Sequence, residues 1–507
     1  MADVQNGDRP KLHIKKQNTS RVYMIRTLLF YVQFGPVPIM HIGPILHIFD
    51  ASVPHIRIMS KLNMTNLKKA YNYMKKNGLK AMLTQAAERL ESHDYDDYTY
   101  EPVSEEELEK QRKNAGSYSV RFSILVPAYN TPKEYFKEMI ESVEAQTYPN
   151  WELIIGDAGD ETRGLKEIVE EFSDRRVRYI RLPENKGISG NTNAILKEAR
   201  GEYIALLDHD DFLTPDALYE NAKLISEATK KPGLIYSDED KCNGDATRFY
   251  DVYRKPNFNL DLLLSNNYIC HFLVIKSEDL KSIGFRSEYD GAQDYDVTLR
   301  CVMRYMPDFK EVYHIPKVLY HWRCHEESTA SNPQSKLYAY EAGKNALTDA
   351  LEALGWKAEV THSKHLGFMD VKYIPGIFDV REDIGMIGGK IVNDKGVIIG
   401  GIMDENGTPI FEGLKDGYSG YRNTATLKQD ADLLDIRCMK LRPELYDVFK
   451  DVTGMEYKED PKTGFYDIKL QKDDTDLMKI CTIICHRIKK MGYKLLYDPD
   501  CSVKVKE

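Results

Sequence analysis

Three carboxylates, Asp208, Asp210 and Asp211, follow directly on an apolar run in the segment YIALLDHDDF. Charges at the end of a buried strand are costly unless they meet water, a cation or a partner. Hard oxygen donors of this kind suit Mg2+ or Mn2+, and one or two carboxylates together with phosphate oxygens are the usual way such ions are held. The competing reading is an acid-lined helix N-terminus, because Thr214-Pro215-Asp216 opens a helix. That accounts for Asp216 and leaves the triad unexplained. Polar residues also close three other apolar runs, at Pro127 to Asn130, at Asp157 and at Asn185 to Gly187.

The elements that must carry these residues alternate between strand and helix from Val120 onward. FSILVPA, Phe122 to Ala128, is a continuous apolar run as expected of a buried parallel strand. Thr131-Pro132-Lys133-Glu134 then reads as an N-cap, a first-turn proline and a capping-box glutamate, followed by Tyr135, Phe136, Met139, Ile140 and Val143 at helical spacing. Further strands are expected at Trp151 to Gly156, Val177 to Leu182 and Tyr203 to Asp208. Helices are expected through Leu165, Ile168 and Phe172 and from Gly190. The pattern is that of a doubly wound α/β sheet, in which ligands bind beyond the carboxyl ends of the strands.

VPAYN, the strand end at Asp157, ENKGISGNTNAIL, ALLDHDDFL, IYSDEDK, GAQDYDVTLR and VLYHWR occur in this order between Val120 and about Trp356. Together they resemble bacterial family 2 glycosyltransferases of the surface-polysaccharide, rhamnan-synthesis type. The resemblance implies a GT-A fold and an inverting, metal-dependent transfer of a sugar from a nucleotide-diphosphate donor, UDP- or dTDP-linked, to a hydroxyl of a glycan acceptor. It further implies that Pro127, Ala128, Tyr129 and Asn130 line the base pocket and that Asp157 accepts the imide N–H of a uracil or thymine. Relatives often carry two acids in that turn, so Asp160 is a rival. Asn185, Gly187 and Asn193 are implied to contact nucleotide or sugar, Asp208 to face the ribose, and Asp210 with Asp208 and His321 to hold Mn2+ or Mg2+. Asp294 is implied as the general base, with Asp296 competing. Gln293 stands where relatives often have Glu, which keeps open a second function: a binding scaffold of the same fold without turnover. Asp238, Glu239 and Asp240, with Lys241, read either as acceptor or pyrophosphate contacts or as a solvated acidic turn.

Two other enzyme classes are disfavoured. An aspartate-nucleophile phosphatase wants a small Thr or Val where Phe212 stands, and no GxGxxG follows the first strand as a dinucleotide oxidoreductase would need. Near the C-terminus, DIGMIGGKI, IIGGIMDENG and DDTDLMKICTIICHRIKKMGYKLLYDP resemble the acceptor half of a second family 2 domain, with Asp474 and Asp476 in its base position. The expected domains are 1–117, a basic appendage and acidic linker; 118–375, the catalytic domain; and 376–507, a degenerate module for packing, dimerisation or acceptor binding.

Charge is segregated along the chain. Met1 to Leu90 holds 14 Lys/Arg and 4 Asp/Glu, a balance of +10 against −9 for the whole. Residues 60–91 are expected to form a basic helical stretch with Leu62, Leu67, Tyr71 and Met74 on one side. With the apolar Tyr23 to Phe49 this reads either as an anionic-lipid contact, suiting a lipid-linked acceptor, or as a solvated appendage. Gly35-Pro36, Pro38 and Gly43-Pro44 break that apolar stretch and argue against a spanning helix. The acidic remainder gives no nucleic-acid surface. Eight scattered cysteines and the lack of a signal-like N-terminus lead us to expect a cytoplasmic protein, peripheral on the inner membrane face.

Overall fold

The computed structural model describes residues 64–91, 98–324, 337–461, 464–466 and 474–506. The chain divides into two compact units, Met1–Glu91 and Ser92–Glu507. The described part of the first is the helical segment Met64–Glu91, whose backbone leaves helical geometry at Gly78, φ 85° and ψ 165°. The break prevents one continuous amphipathic stripe. Leu62 and the apolar segment Tyr23 to Phe49 lie outside the described residues, and so do the side chains of Leu67 and Tyr71. No described helix is long and apolar enough to cross a membrane.

The second unit is built on a nine-stranded sheet: β1 Phe122–Ala128, β2 Trp151–Asp157, β3 Val177–Arg181, β4 Tyr203–Leu206, β5 Phe212–Leu213, β6 Leu234–Asn243, β7 Phe249–Tyr253, β8 Leu273–Lys276 and β9 Val312–Cys324. Its order is β3-β2-β1-β4-β8-β6-β9-β5, with β7 on β6. β1 pairs in parallel with both β2 and β4, so the chain reverses its direction of winding between β1 and β4. A crevice opens at such a switch point, at the carboxyl ends of the strands. Alternation along β1 fills both faces. Phe122, Ile124, Val126 and Ala128 join one apolar cluster, while Leu125 joins the other with Ile154 and Ile204. The expected doubly wound α/β sheet is present.

Local differences have local causes. The first helix runs Lys133–Glu144 with Pro132 at its N-cap, one residue later than expected, and Phe136 N–H bonds Pro132 O at 3.0 Å. Thr131 therefore does not cap, and its buried hydroxyl has no partner. The helix expected from Gly190 begins at Gly187. The segment YSDEDK is no solvated turn but the middle of β6, paired with β9 along its length and with β7 at Glu239 and Lys241.

Beyond a hairpin of β10 Ala358–His362 and β11 Met369–Tyr373 comes a second sheet. It comprises β12 Ile384–Val392, β13 Ile398–Gly400, β15 Gln429–Asp430, β17 Met439–Leu441 and β18 Lys494–Lys504, with the short pair β14 Ile402–Met403 and β16 Leu433–Leu434 beside it. β12 and β18 are parallel, and the helix Asp474–Lys490 covers them. Cys481 and Cys485 lie on the buried side of that helix and accept from Ile436 N–H at 3.5 Å and Leu434 N–H at 3.4 Å.

Candidate functional site

Asp157 ends β2 opposite Ala128 of β1 and Arg181 of β3. One carboxylate oxygen accepts from Gly159 N–H at 2.8 Å; the other accepts from Tyr179 Oη at 2.8 Å and Arg181 at 3.2 Å. The group is 2% exposed, so it survives burial by being triply satisfied. A carboxylate offers about four acceptor sites, and one remains. Asp160 instead folds back on its own turn, accepting from Thr162 N–H and Oγ1, both at 2.9 Å. Asn130 (φ 54°) accepts from Asp160 N–H, and a Cβ on Gly159 would meet Asn130 N at 2.6 Å. Tyr129 stands 50% exposed beyond β1, with Pro127 partly buried and Ala128 buried behind it.

Asn185 Oδ1 accepts from Gly187 N–H and Asn191, and Gly187 has φ +74° with Asp290 where its Cβ would be. Asn193 is partly buried. Its amide is occupied twice by the backbone of Phe285, donating to O at 2.7 Å and accepting from N–H at 2.9 Å. It fastens the 284–286 turn to the helix.

The carboxylates after β4 are brought together with a histidine that the sequence reading passed over. Ligand atoms of Asp208, Asp211 and His271 all lie within 4.8 Å of one another. Asp211 accepts from Tyr320 Oη at 2.6 Å and from Arg323 N–H at 2.7 Å. Burial, with the charges of Asp210 and Asp208 adding, pushes its carboxyl well above the ordinary range. Burial also raises Asp208, where His271 opposes and Asp210 and Asp294 add to the effect. Crowded, partly desolvated acids with an imidazole form a donor set that a divalent cation fits, since each oxygen already used by a donor keeps a second lone pair.

His321 is not part of this group. Tyr320 and Trp322 both face His271, with ring centroids 4.5 and 5.9 Å away, and strand alternation turns His321 to the other side of β9. There its Nδ1 lies 2.5 Å from Asp240, which also accepts from Tyr98 Oη at 2.7 Å, and Tyr100, Phe212 and Phe249 enclose the ring. Asp238 pairs with His314 at 2.8 Å and Glu239 with Lys255 at 3.0 Å. All three acids of YSDED are thus buried and satisfied, and neither sequence reading of them holds.

Asp294 lies in the first turn of the helix Gln293–Met303, favourable for a negative charge. Its Oδ2 accepts from Asn267 Nδ2 at 2.7 Å. Asp296, 1% exposed, is clamped by Arg286 and Arg300 and points away. The side chains of Asp474 and Asp476 lie outside the described residues.

His271 was legible in principle. β8 runs antiparallel to β4, pairing Leu206 with Leu273, so residues just before β8 share the edge reached by residues just after β4. The sequence signal is a polar, aromatic stretch, NNYICH, between the apolar LDLLLS and LVIK.

Residues 123–284 match the Glycosyl transferase family 2 model. Over 232 residues the chain is 42% identical to the uncharacterized protein y4gI of Sinorhizobium fredii (strain NBRC 101917 / NGR234), covering 45% of this chain and 25% of that one. It is 32% identical to the O-antigen biosynthesis protein RfbC of Myxococcus xanthus, covering 47% of this chain and 18% of that one. It is 30% identical to the putative colanic acid biosynthesis glycosyl transferase WcaA of Escherichia coli (strain K12), covering 37% and 68%. The match thus spans a quarter or less of the first two relatives. With the doubly wound sheet and the acid-rich crevice at its switch point, residues 123–284 form a family 2 glycosyltransferase domain of the GT-A fold.

Proposed function

We propose that this domain transfers a sugar, with inversion, from a UDP- or dTDP-linked donor to a hydroxyl of a growing cell-surface polysaccharide. The observation that carries the proposal is that one loop serves both groups: Cys270 Sγ lies 3.4 Å from Asp294 Oδ2, and the next residue, His271, groups with Asp208 and Asp211. A candidate base and a candidate cation site are therefore joined by one loop where the α/β sheet binds ligands.

In this reading Asp157 receives the imide N–H of the base, Tyr129 lies against the ring, and Asn185 and Gly187 border the sugar. Bound by Asp208, Asp211 and His271, with Asp210 beside them, Mn2+ or Mg2+ would supply positive charge to the leaving diphosphate. Asp294 takes the proton of the acceptor hydroxyl as its oxygen bonds to the anomeric carbon. The bond from that carbon to the diphosphate breaks, and its electron pair leaves with the phosphate. The names of RfbC and WcaA, both in polysaccharide biosynthesis, support a glycan acceptor.

Calorimetric binding of UDP-, dTDP- and GDP-sugars with and without Mn2+ tests the donor half. The expected result is Mn2+-dependent selectivity for one donor, lost in Asp208→Ala and weakened in Asp210→Ala. Equal binding without the metal would contradict it, and absence of binding by every donor would favour the scaffold reading.

A further inference from the structure

The loop between the helix Leu260–Ser265 and β8 supplies more than His271. Asn267 Nδ2 and Cys270 Sγ both converge on Oδ2 of Asp294, at 2.7 and 3.4 Å, and Asn267 Oδ1 in turn accepts from Cys270 N–H at 3.4 Å. No described residue bonds Asp294 Oδ1. The loop is held from beneath by Lys255, whose side chain is fully buried. Its ammonium donates to Glu239 at 3.0 Å, to Ile269 O at 2.6 Å and to His271 O. Cys270 sits at φ 34°, a backbone conformation that side-chain-bearing residues seldom adopt and that persists only where the surroundings impose it.

We infer that Asn267 and Cys270 are positioning residues that fix the Asp294 carboxylate with Oδ2 occupied and Oδ1 presented to the acceptor hydroxyl. The inference rests on Asp294 being the base of the proposed transfer. Two donors on one oxygen fix the carboxylate plane and leave the other oxygen to take the proton, and the same loop carries His271 of the ion group. Base and cation site are thereby held in register by one lysine-anchored segment. Cys270 contributes less than Asn267, because a thiol is a weak donor.

The test is a double-mutant cycle on the full chain. It is read as nucleoside diphosphate release, with Mn2+, from whichever of UDP-GlcNAc, UDP-glucose, dTDP-rhamnose or GDP-mannose is turned over. Asn267→Ala is expected to lower kcat about ten- to a hundredfold, the usual cost of losing an orienting partner, with the donor KM unchanged. In an Asp294→Asn background the same substitution should cost nothing further, because it acts only through that carboxylate. Asn267→Asp, nearly the same shape, should lose at least as much as Asn267→Ala, whereas Cys270→Ser should keep most of the rate. Native kcat in Asn267→Ala or Asn267→Asp, or a loss that adds fully to that of Asp294→Asn, would overturn the positioning role. Native kcat in Asp294→Asn alone would overturn the base assignment itself, a different failure seen in a different variant.

Discussion

Asp211 is the residue at which the crevice is least comfortable without a cation. Its carboxyl is pushed well up by burial and by Asp210 and Asp208, so between the ordinary carboxyl pKa and its folded value the native state binds the extra proton. Stability then falls as pH rises through that window. Bound Mn2+ would favour the charged form and reverse the trend. The expected outcome is a melting temperature raised by Mn2+ more at pH 8 than at pH 5, with the difference abolished in Asp208→Ala; an equal shift at both pH values would count against the ion group. At this scale Asp208, Asp210 and Asp157 stand out in the sequence because they follow apolar runs, whereas Asp294 rests on the family resemblance. The sequence favoured Asp294 over Asp296, which stands two residues on along the helix, but it could not find the clamp of Arg286 and Arg300 that holds Asp296, nor see that alternation along β9 turns His321 away. Nor could it find the partner of the Asn193 amide, a backbone 92 residues away.

Between elements, the helix Leu260–Ser265 is where the second sheet meets the first. Asp430 of β15 accepts from Leu260 N–H at 2.8 Å, and Arg381, wholly buried, bonds Asp261 at 2.8 and 3.0 Å and also Asp383 and Tyr373. Removing the guanidinium would leave Asp261 charged in a dry site. Arg381→Met is therefore expected to cost about 3–5 kcal/mol in chemical denaturation, and a loss below about 1 kcal/mol would show the pair to be solvated. Burial, reinforced by Asp261, lifts Asp430 to about 7, with Lys494 and Arg381 opposing; Arg381 keeps Asp261 below its usual range despite burial. From the ordinary carboxyl pKa up to about 7 the native Asp430 holds a proton that the unfolded chain releases, so its contribution falls as pH rises. Asp430→Asn should flatten the decline in melting temperature between pH 5 and 8, and an unchanged slope would contradict protonation of Asp430 in the native state. Strands and helices near the site were legible from periodicity. This seam was not, because Arg381, Asp261 and Asp430 are far apart in sequence and none sits in a patterned segment.

For the whole molecule, residues 376–507 cannot be treated as a detachable module. Leu427 belongs to the same apolar cluster as Leu125 and Ile154 of the central sheet. Truncation after Pro375 would strip that face and remove both Arg381 and Asp430. It is expected to give aggregated chain without a cooperative melt; a folded, active product would refute the seam. The N-terminal unit is different. Met1–Glu91 is the other compact unit, and on the lipid-contact reading of its basic charge deleting it should abolish sedimentation with anionic phospholipid vesicles. Retained vesicle binding would refute a lipid role for the basic segment. Joint action of Asp294 and the Asp208 group on a nucleotide sugar in one crevice is checked by nucleoside diphosphate release from the donor panel in the presence of Mn2+. Native chain should turn over one donor, with chelator, Asp208→Ala and Asp294→Asn each suppressing release by orders of magnitude while the chain still melts cooperatively. Release that persists in both variants, or that ignores the chelator, would contradict the account.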